Sequence, residues 1–358
     1  MSTEVLLNEF KEYSEHPYRV LSEYKKQGKK VIGMLPYYAP AELVVAAGMV
    51  PMGIWGSNKK TIALAKEYCA TFYCTIAQLA LEMLLDGTLD QLDGVITPTI
   101  CDTLRPMSQN IRVAMSDKLP CIFLAHPQQR KPAFGLQFTM DQYQHIKTEL
   151  EKISGSAITD EALRNAIKVY NRSRAARREF VKLAGQHPDV VSAVNRSAVL
   201  RSAWFMLKDE HTAKLEALNE ELKKLPECNW KGKKVLTSGI ICDNPKLLQI
   251  FDDNQIAIVA DDVAHESRPI RVDAAETGDP YPIRAYISMR HNILSSLPDP
   301  DTLRGKLDKL DLIVAITTTW SPTADYADIV LPCATEWERV GGFAGHQRSR
   351  ETVVVYSR

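Results

Sequence analysis

Residues 30–54 read KVIGMLPYYAPAELVVAAGMVPMGI, and this stretch decides the fold. An apolar run at 31–35 sits behind the basic pair Lys29 and Lys30 and ahead of Pro36, as a buried strand does. Residues 41–47 carry a short helical pattern stopped at Gly48, and 50–54 is a second apolar run. Strand, helix and strand in so short a span make a βαβ unit, whose strands lie parallel. Further along, 68–86 has a helical period ending at Gly87, and 94–97 and 120–124 are two more apolar runs with helical residues between them. Short strands alternating with helices predict a parallel sheet covered on both faces.

A charged amphipathic helix precedes this sheet. From 141 to 225 no strand pattern occurs, and segments rich in Ala, Leu, Lys, Glu and Arg predict a helical connector and lid. The strand period returns at 234–239 and 256–260, with a helix at 245–252 between them. The expected fold class is α/β: two flavodoxin-like or Rossmann-like parallel-sheet domains joined by a helical region. The expected boundaries are 1–140 for the first domain, 141–226 for the connector, 227–282 for the start of the second domain, and 283–358 for a segment completing or replacing it.

A chain of 358 residues exceeds an ordinary single domain, so small disulfide scaffolds are excluded. Lys plus Arg and Asp plus Glu number 44 each, and neither sign runs in a long block, which argues against nucleic acid as a partner. The first residues, MSTEVLLNEFKEY, put acids where a signal peptide has bases, and no apolar run reaches membrane-spanning length. A cytoplasmic protein with no membrane partner is therefore expected. No G-x-G-x-x-G or G-x-x-x-x-G-K-[ST] motif is present, so dinucleotide and P-loop readings lack their fingerprint.

Seven cysteines, an odd number without secretory context, read as thiols or metal ligands and not as a disulfide framework. Cys69 and Cys74, five apart on one predicted helix, point in different directions, and the clean apolar period starting after Cys74 makes it the exposed one. Cys101 follows the run 94–97 in a loop ahead of a helix, where backbone N–H groups stabilise a thiolate. Cys121 lies within an apolar strand and reads as a small buried hydrophobe. Without a CxxC pair, spacing alone leaves two readings open: an iron–sulfur site shared between distant loops, or packed structural thiols. His126 and Asp102 are candidates for proton handling or for orienting a cluster, against simple loop capping. The basic residues of 164–182, Arg164, Lys168, Arg172, Arg174, Arg177, Arg178 and Lys182, either meet an anionic partner or form a solvated face.

Beyond these patterns, particular motifs resemble a known family. Residues 35–43 and 46–51 resemble the opening of the 2-hydroxyacyl-CoA dehydratase and benzoyl-CoA reductase family. YCATFYCTIAQ at 68–78, GVITPTICD at 94–102 with SQN at 108–110, and FLAHP at 123–127 resemble its smaller, β-type subunits. These are of the kind acting on (R)-2-hydroxyisocaproyl-CoA or phenyllactyl-CoA. AARREF at 175–180 and VADD at 259–262 with ESR at 266–268 continue the match. The resemblance implies a hydro-lyase subunit in anaerobic amino-acid fermentation, carrying a [4Fe–4S] cluster held by three cysteines. A larger α subunit completes the heterodimer, and an ATP-dependent iron–sulfur activator supplies one electron. A 2-hydroxyacyl-CoA then loses water through a ketyl radical, giving a 2-enoyl-CoA. By motif, Cys74 and Cys101 are two cluster ligands.

The third ligand's Phe-Cys-Asp-Pro-like motif does not follow Asp262, and Cys242 and Cys333, each just past an apolar run, are the candidates to replace it. Residues 284–292, 310–314, 320–332 and 336–339 instead resemble a segment of the molybdopterin oxidoreductases, with a junction near 280–283. Two rival readings follow: a catalytically silent scaffold that keeps the α-subunit contact without an intact cluster, and an oxidoreductase fragment active through that tail.

Overall fold

The computed structural model describes residues 2–35, 38–54, 61–129, 133–275, 285–289, 293–296, 300–308, 310, 312–332, 341–344 and 354–357. They fall into two compact units, 1–277 and 278–358.

The first unit opens with α1 (Thr3–Glu15) and α2 (Pro17–Lys26). There follow β1 (Val31–Met34), α3 (Ala41–Ala46), β2 (Val50–Gly53), α4 (Thr75–Leu85), β3 (Gly94–Pro98), α5 (Leu104–Met115) and β4 (Cys121–Leu124). The strands form one parallel sheet in the order β2-β1-β3-β4, with Ile32 in register with Pro51 on one side and Gly94 on the other. Alternation along the strands fills two cores. Val31 and Val95 pack on one face with Leu81 and Leu84 of α4 and Met107 and Ile111 of α5. Ile32, Ile96 and Ile122 point to the other face, against Leu43 and Val44 of α3 and Ile146 and Leu150 of α6 (Ala133–Ser154). Each such buried side chain stabilises the fold by roughly 1.5–3 kcal/mol. Gly48, at φ 72°, ends α3 in the left-handed region that the sequence stop there required.

After α6 come α7 (Asp160–Gln186), α8 (Ala193–Ser202) and α9 (Lys208–Lys223), and no described residue between 141 and 225 is in a strand. Thr159 and Ser192 cap α7 and α8 through side-chain oxygens that accept from Ala162 N at 3.1 Å and Asn195 N at 3.2 Å. These helices form a core of their own with the N-terminal helix: Leu6 and Phe10 of α1 pack with Phe180, Val199, Leu215 and Leu218. β5 (Lys233–Gly239), α10 (Pro245–Asp253) and β6 (Ile256–Val263) then give a second parallel pair, with Asn244 capping α10 through bonds from Lys246 N and Leu247 N. Leu248 and Ile258 join that pair to Ala193 at the start of α8.

In the second unit, β7 (Ala285–Met289), α11 (Ile293–Ser296), α12 (Pro300–Leu307), β8 (Leu312–Thr317), α13 (Pro322–Asp325) and β9 (Ile329–Pro332) build a parallel sheet in the order β7-β8-β9. Leu294, Leu307 and Ile313 are its core. β10 (Gly341–Ala344) and β11 (Val354–Ser357) pair antiparallel. Among the described residues β7–β9 pair only with each other and β5 only with β6, and the junction at 280–283 lies outside the described residues. The class is the expected one, α/β with parallel sheets.

One element differs. The helix expected from Tyr68 starts only at Thr75. The Glu82 carboxylate, buried on α4, reaches back to accept from Ala63 N at 3.0 Å and Ala65 N at 2.8 Å, which ties 64–67 into a 3₁₀ turn. Gln78 Nε2 donates to Tyr73 O at 2.7 Å, so the chain before Thr75 is held as a loop by the helix that follows it.

Candidate functional site

In a parallel sheet every connecting helix starts at the carboxyl edge, so the N-termini of α3, α4 and α5 gather on one rim. Both motif cysteines are on that rim. Cys74 is the N-cap of α4, with φ −54° and ψ 130°, and its thiol is exposed and makes no capping bond. Cys101 lies between β3 and α5, exposed, with its carbonyl accepting from Arg105 N at 3.4 Å. Each thiol stands beside a helix N-terminus, and it is the deprotonated form of a thiol that binds metal.

The other thiols are placed differently. Cys69, expected on the same helix as Cys74, sits in the preceding loop and is buried, 3.9 Å from Asn110 Nδ2. Burial pushes its thiol pKa up. Cys121 is half-buried in β4 near Thr97 Oγ1, and burial likewise raises it. Cys242 follows β5 half-buried against the small core of Leu248 and Ile258, and burial, then the Glu266 carboxylate, raises its pKa. Cys333 lies outside the described residues. No group of three or more His, Cys, Asp and Glu side chains able to hold a metal occurs among the described residues. Two exposed thiols thus suit an iron–sulfur cluster in chemistry and placement, and a complete three-cysteine set is not assembled among the described residues.

Asp102 is exposed in the turn before α5. His126 follows β4 on the same rim, its backbone N–H donating to Thr99 Oγ1 at 2.8 Å. Three of the seven basic residues of 164–182 are committed within the chain. Arg172 clamps Glu216 with bonds of 2.8 and 2.5 Å, Arg174 pairs with Glu42, and Arg178 binds Asp273 and the Ile270 carbonyl. The motif residues 259–268 do structural work of the same kind: buried Arg196 of α8 pairs with both Asp261 and Glu266. That ion triad was hidden in the sequence, because its cation stands more than sixty positions from its acids.

No helix among the described residues is long and apolar enough to cross a membrane. The 2-hydroxyglutaryl-CoA dehydratase, D-component family model matches residues 36–314. The (R)-2-hydroxyglutaryl-CoA dehydratase beta subunit of Acidaminococcus fermentans is 61% identical over 279 residues, covering 78% of this chain and 74% of that relative. The (R)-phenyllactyl-CoA dehydratase beta subunit of Clostridium sporogenes is 38% identical over 333 residues, 91% of this chain and 88% of the relative. A shorter match, 40% over 68 residues, joins 19% of this chain to 9% of the thiosulfate reductase molybdopterin-containing subunit of Salmonella typhimurium. The chain accordingly belongs to the 2-hydroxyglutaryl-CoA dehydratase D-component family, a family of hydro-lyase subunits.

Proposed function

We propose that this chain is the β subunit of a cytoplasmic (R)-2-hydroxyacyl-CoA dehydratase in which Cys74 and Cys101 ligate a [4Fe–4S] cluster. The observation that carries this reading is the pair of exposed thiols at the N-terminal ends of α4 and α5 on one sheet rim. A bound cluster supplies single electrons, chemistry that no side chain offers. This chain's own part is to hold two thiolates at helix N-termini and to position them with the loop that Glu82 and Gln78 tie down. Phe72, two residues from Cys74 and 85% exposed, supports a protein partner on this face. That partner is the larger α subunit, with an ATP-dependent activator delivering the electron. The 61% relative makes (R)-2-hydroxyglutaryl-CoA the first acyl-CoA to assay.

The test is iron and acid-labile sulfide per chain after anaerobic purification, for the native chain and for Cys74→Ala and Cys101→Ala. About four irons in the native chain, lost in both variants, is the expected result. A second reading, a scaffold subunit that binds the α subunit without a cluster, is favoured by the incomplete ligand set among the described residues. Iron near zero after reconstitution would leave that reading standing.

A further inference from the structure

A cavity of about 150 Å³ opens at the end of β1, between α3, α7 and the start of α9. Three cations face it, Arg174 and Arg177 from α7 and Lys208 from α9, against one carboxylate, Glu42. Arg174 pairs with Glu42, which cancels one charge. Arg177 is 6% exposed, and its one bond among the described residues runs from Nε to the Ser173 carbonyl at 3.4 Å. No described carboxylate pairs with it. Lys208 donates to the Ala203 carbonyl and lies 5.1 Å from the Tyr170 ring centroid, again without an acid partner among the described residues.

Uncompensated charges removed from water are costly, and proteins rarely keep two side by side without a counter-ion. Burial, with repulsion from Arg174 and Arg178 and against the pull of Tyr170 and Glu42, pushes Arg177 down to about 10, and burial, then repulsion from Arg177, pushes Lys208 well below its ordinary value. Met34, Pro51, Ala203 and the Trp204 ring give the wall an apolar side, and Tyr38 and Tyr170 also line it. The volume is below the roughly 300–1,000 Å³ of pockets that enclose drug-sized ligands.

We infer that this cavity binds a short organic carboxylate, its oxygens on Arg177 and Lys208 and its carbon skeleton against Met34 and Trp204. A guanidinium matches a planar carboxylate through paired N–H donors, and the apolar wall favours a carbon chain over a bare inorganic oxyanion. The carboxylate comes either from a free acid or from the acyl end of a CoA thioester. The inference does not depend on the cysteines, since its test reads binding and neither iron nor turnover.

The test is calorimetric titration of the full chain with acetate, glutarate, glutaryl-CoA and inorganic phosphate at fixed ionic strength. Saturable binding of glutarate or acetate, at least tenfold tighter than phosphate, is expected. Arg177→Gln and Lys208→Met should each weaken it tenfold or more, and Glu42→Gln, which frees Arg174, should tighten it several-fold. The Glu42→Gln arm keeps the test decisive if a variant lacking a buried cation does not fold. Competition between glutaryl-CoA and glutarate assigns the site to an acyl end, and glutarate binding without such competition assigns it to a free acid. No saturable carboxylate binding to the native chain, or binding unmoved by all three substitutions, would overturn the proposal, as would phosphate binding more tightly than either acid.

Discussion

At the scale of single residues, buried charge and buried imidazole set the pH behaviour. Burial pushes the Asp261 carboxyl up, but the Arg196 charge and hydrogen bonds from Ser267 and Val263 outweigh it and hold it below its usual range. A depressed carboxyl contributes stability above its unfolded pKa, about 3.9, and loses it as pH falls through the lower folded value. Arg196→Ala leaves Asp261 and Glu266 buried without their cation, so a loss of about 3–5 kcal/mol is expected in denaturant unfolding at neutral pH. His211 is fully buried between α8 and α9, with Nε2 3.0 Å from the Val199 carbonyl. Burial, then repulsion from Lys208, pushes it down to about 3. Its stabilising effect is therefore complete above pH 6.5 and declines from there toward pH 3. Between pH 6.5 and 5 the decline should be about 2 kcal/mol, and His211→Gln should remove most of that slope in urea titrations at the two pH values. The exposure of Cys74 was legible from the apolar period after it, whereas the low pKa of His211 was not, since neither its burial nor its neighbour Lys208's environment is written in local sequence.

At the scale of elements, the start of α4 shows how a helical period can run past the helix it predicts. Residues 68–74 have a helical pattern, but the Glu82 carboxylate gives the N–H groups of Ala63 and Ala65 partners that a longer helix would not. Glu82→Ala removes that acceptor and should cost about 1–3 kcal/mol for the donors left unpaired. It should also expose the now buried Cys69, read as faster alkylation of that thiol under native conditions. The packing of α7 on β6 is set by Gly185, where an added Cβ would stand 2.8 Å from the Val259 carbonyl oxygen. Alanine gains up to about 1 kcal/mol of helix propensity there, against about 1–3 kcal/mol for overpacking on immovable backbone. Gly185→Ala should thus lower stability by about 1 kcal/mol, shifting the urea midpoint without changing the slope.

At the scale of the molecule, a third cluster ligand has to come from a cysteine distant in sequence from Cys74 and Cys101. Cys242 belongs to the first unit, but it follows β5 in a different sheet from the one that carries Cys101, and its side chain packs with Leu248 and Ile258. In the full chain, Cys242→Ser should leave the iron content unchanged, while loss of iron would make Cys242 the missing ligand. In the stretch expected as a connector, 141–226, α7, α8 and α9 enclose a core with α1 from the start of the chain. Amphipathic period shows that a helix has a buried face and says nothing of which distant helix covers it.

The sequence by itself determined the elements that local chemistry dictates. The βαβ opening, the stop at Gly48, the strand-free helical stretch and the placement of Cys101 ahead of a helix all rest on periods and caps that span a few residues. Only the tertiary structure decided what distant residues do together. It brought Arg196 to Asp261 and Glu266, set Arg177 and Lys208 beside one cavity, and started α4 only at Thr75. The reason is physical: a period records which side of an element avoids water, while desolvation and pairing depend on which other element arrives there.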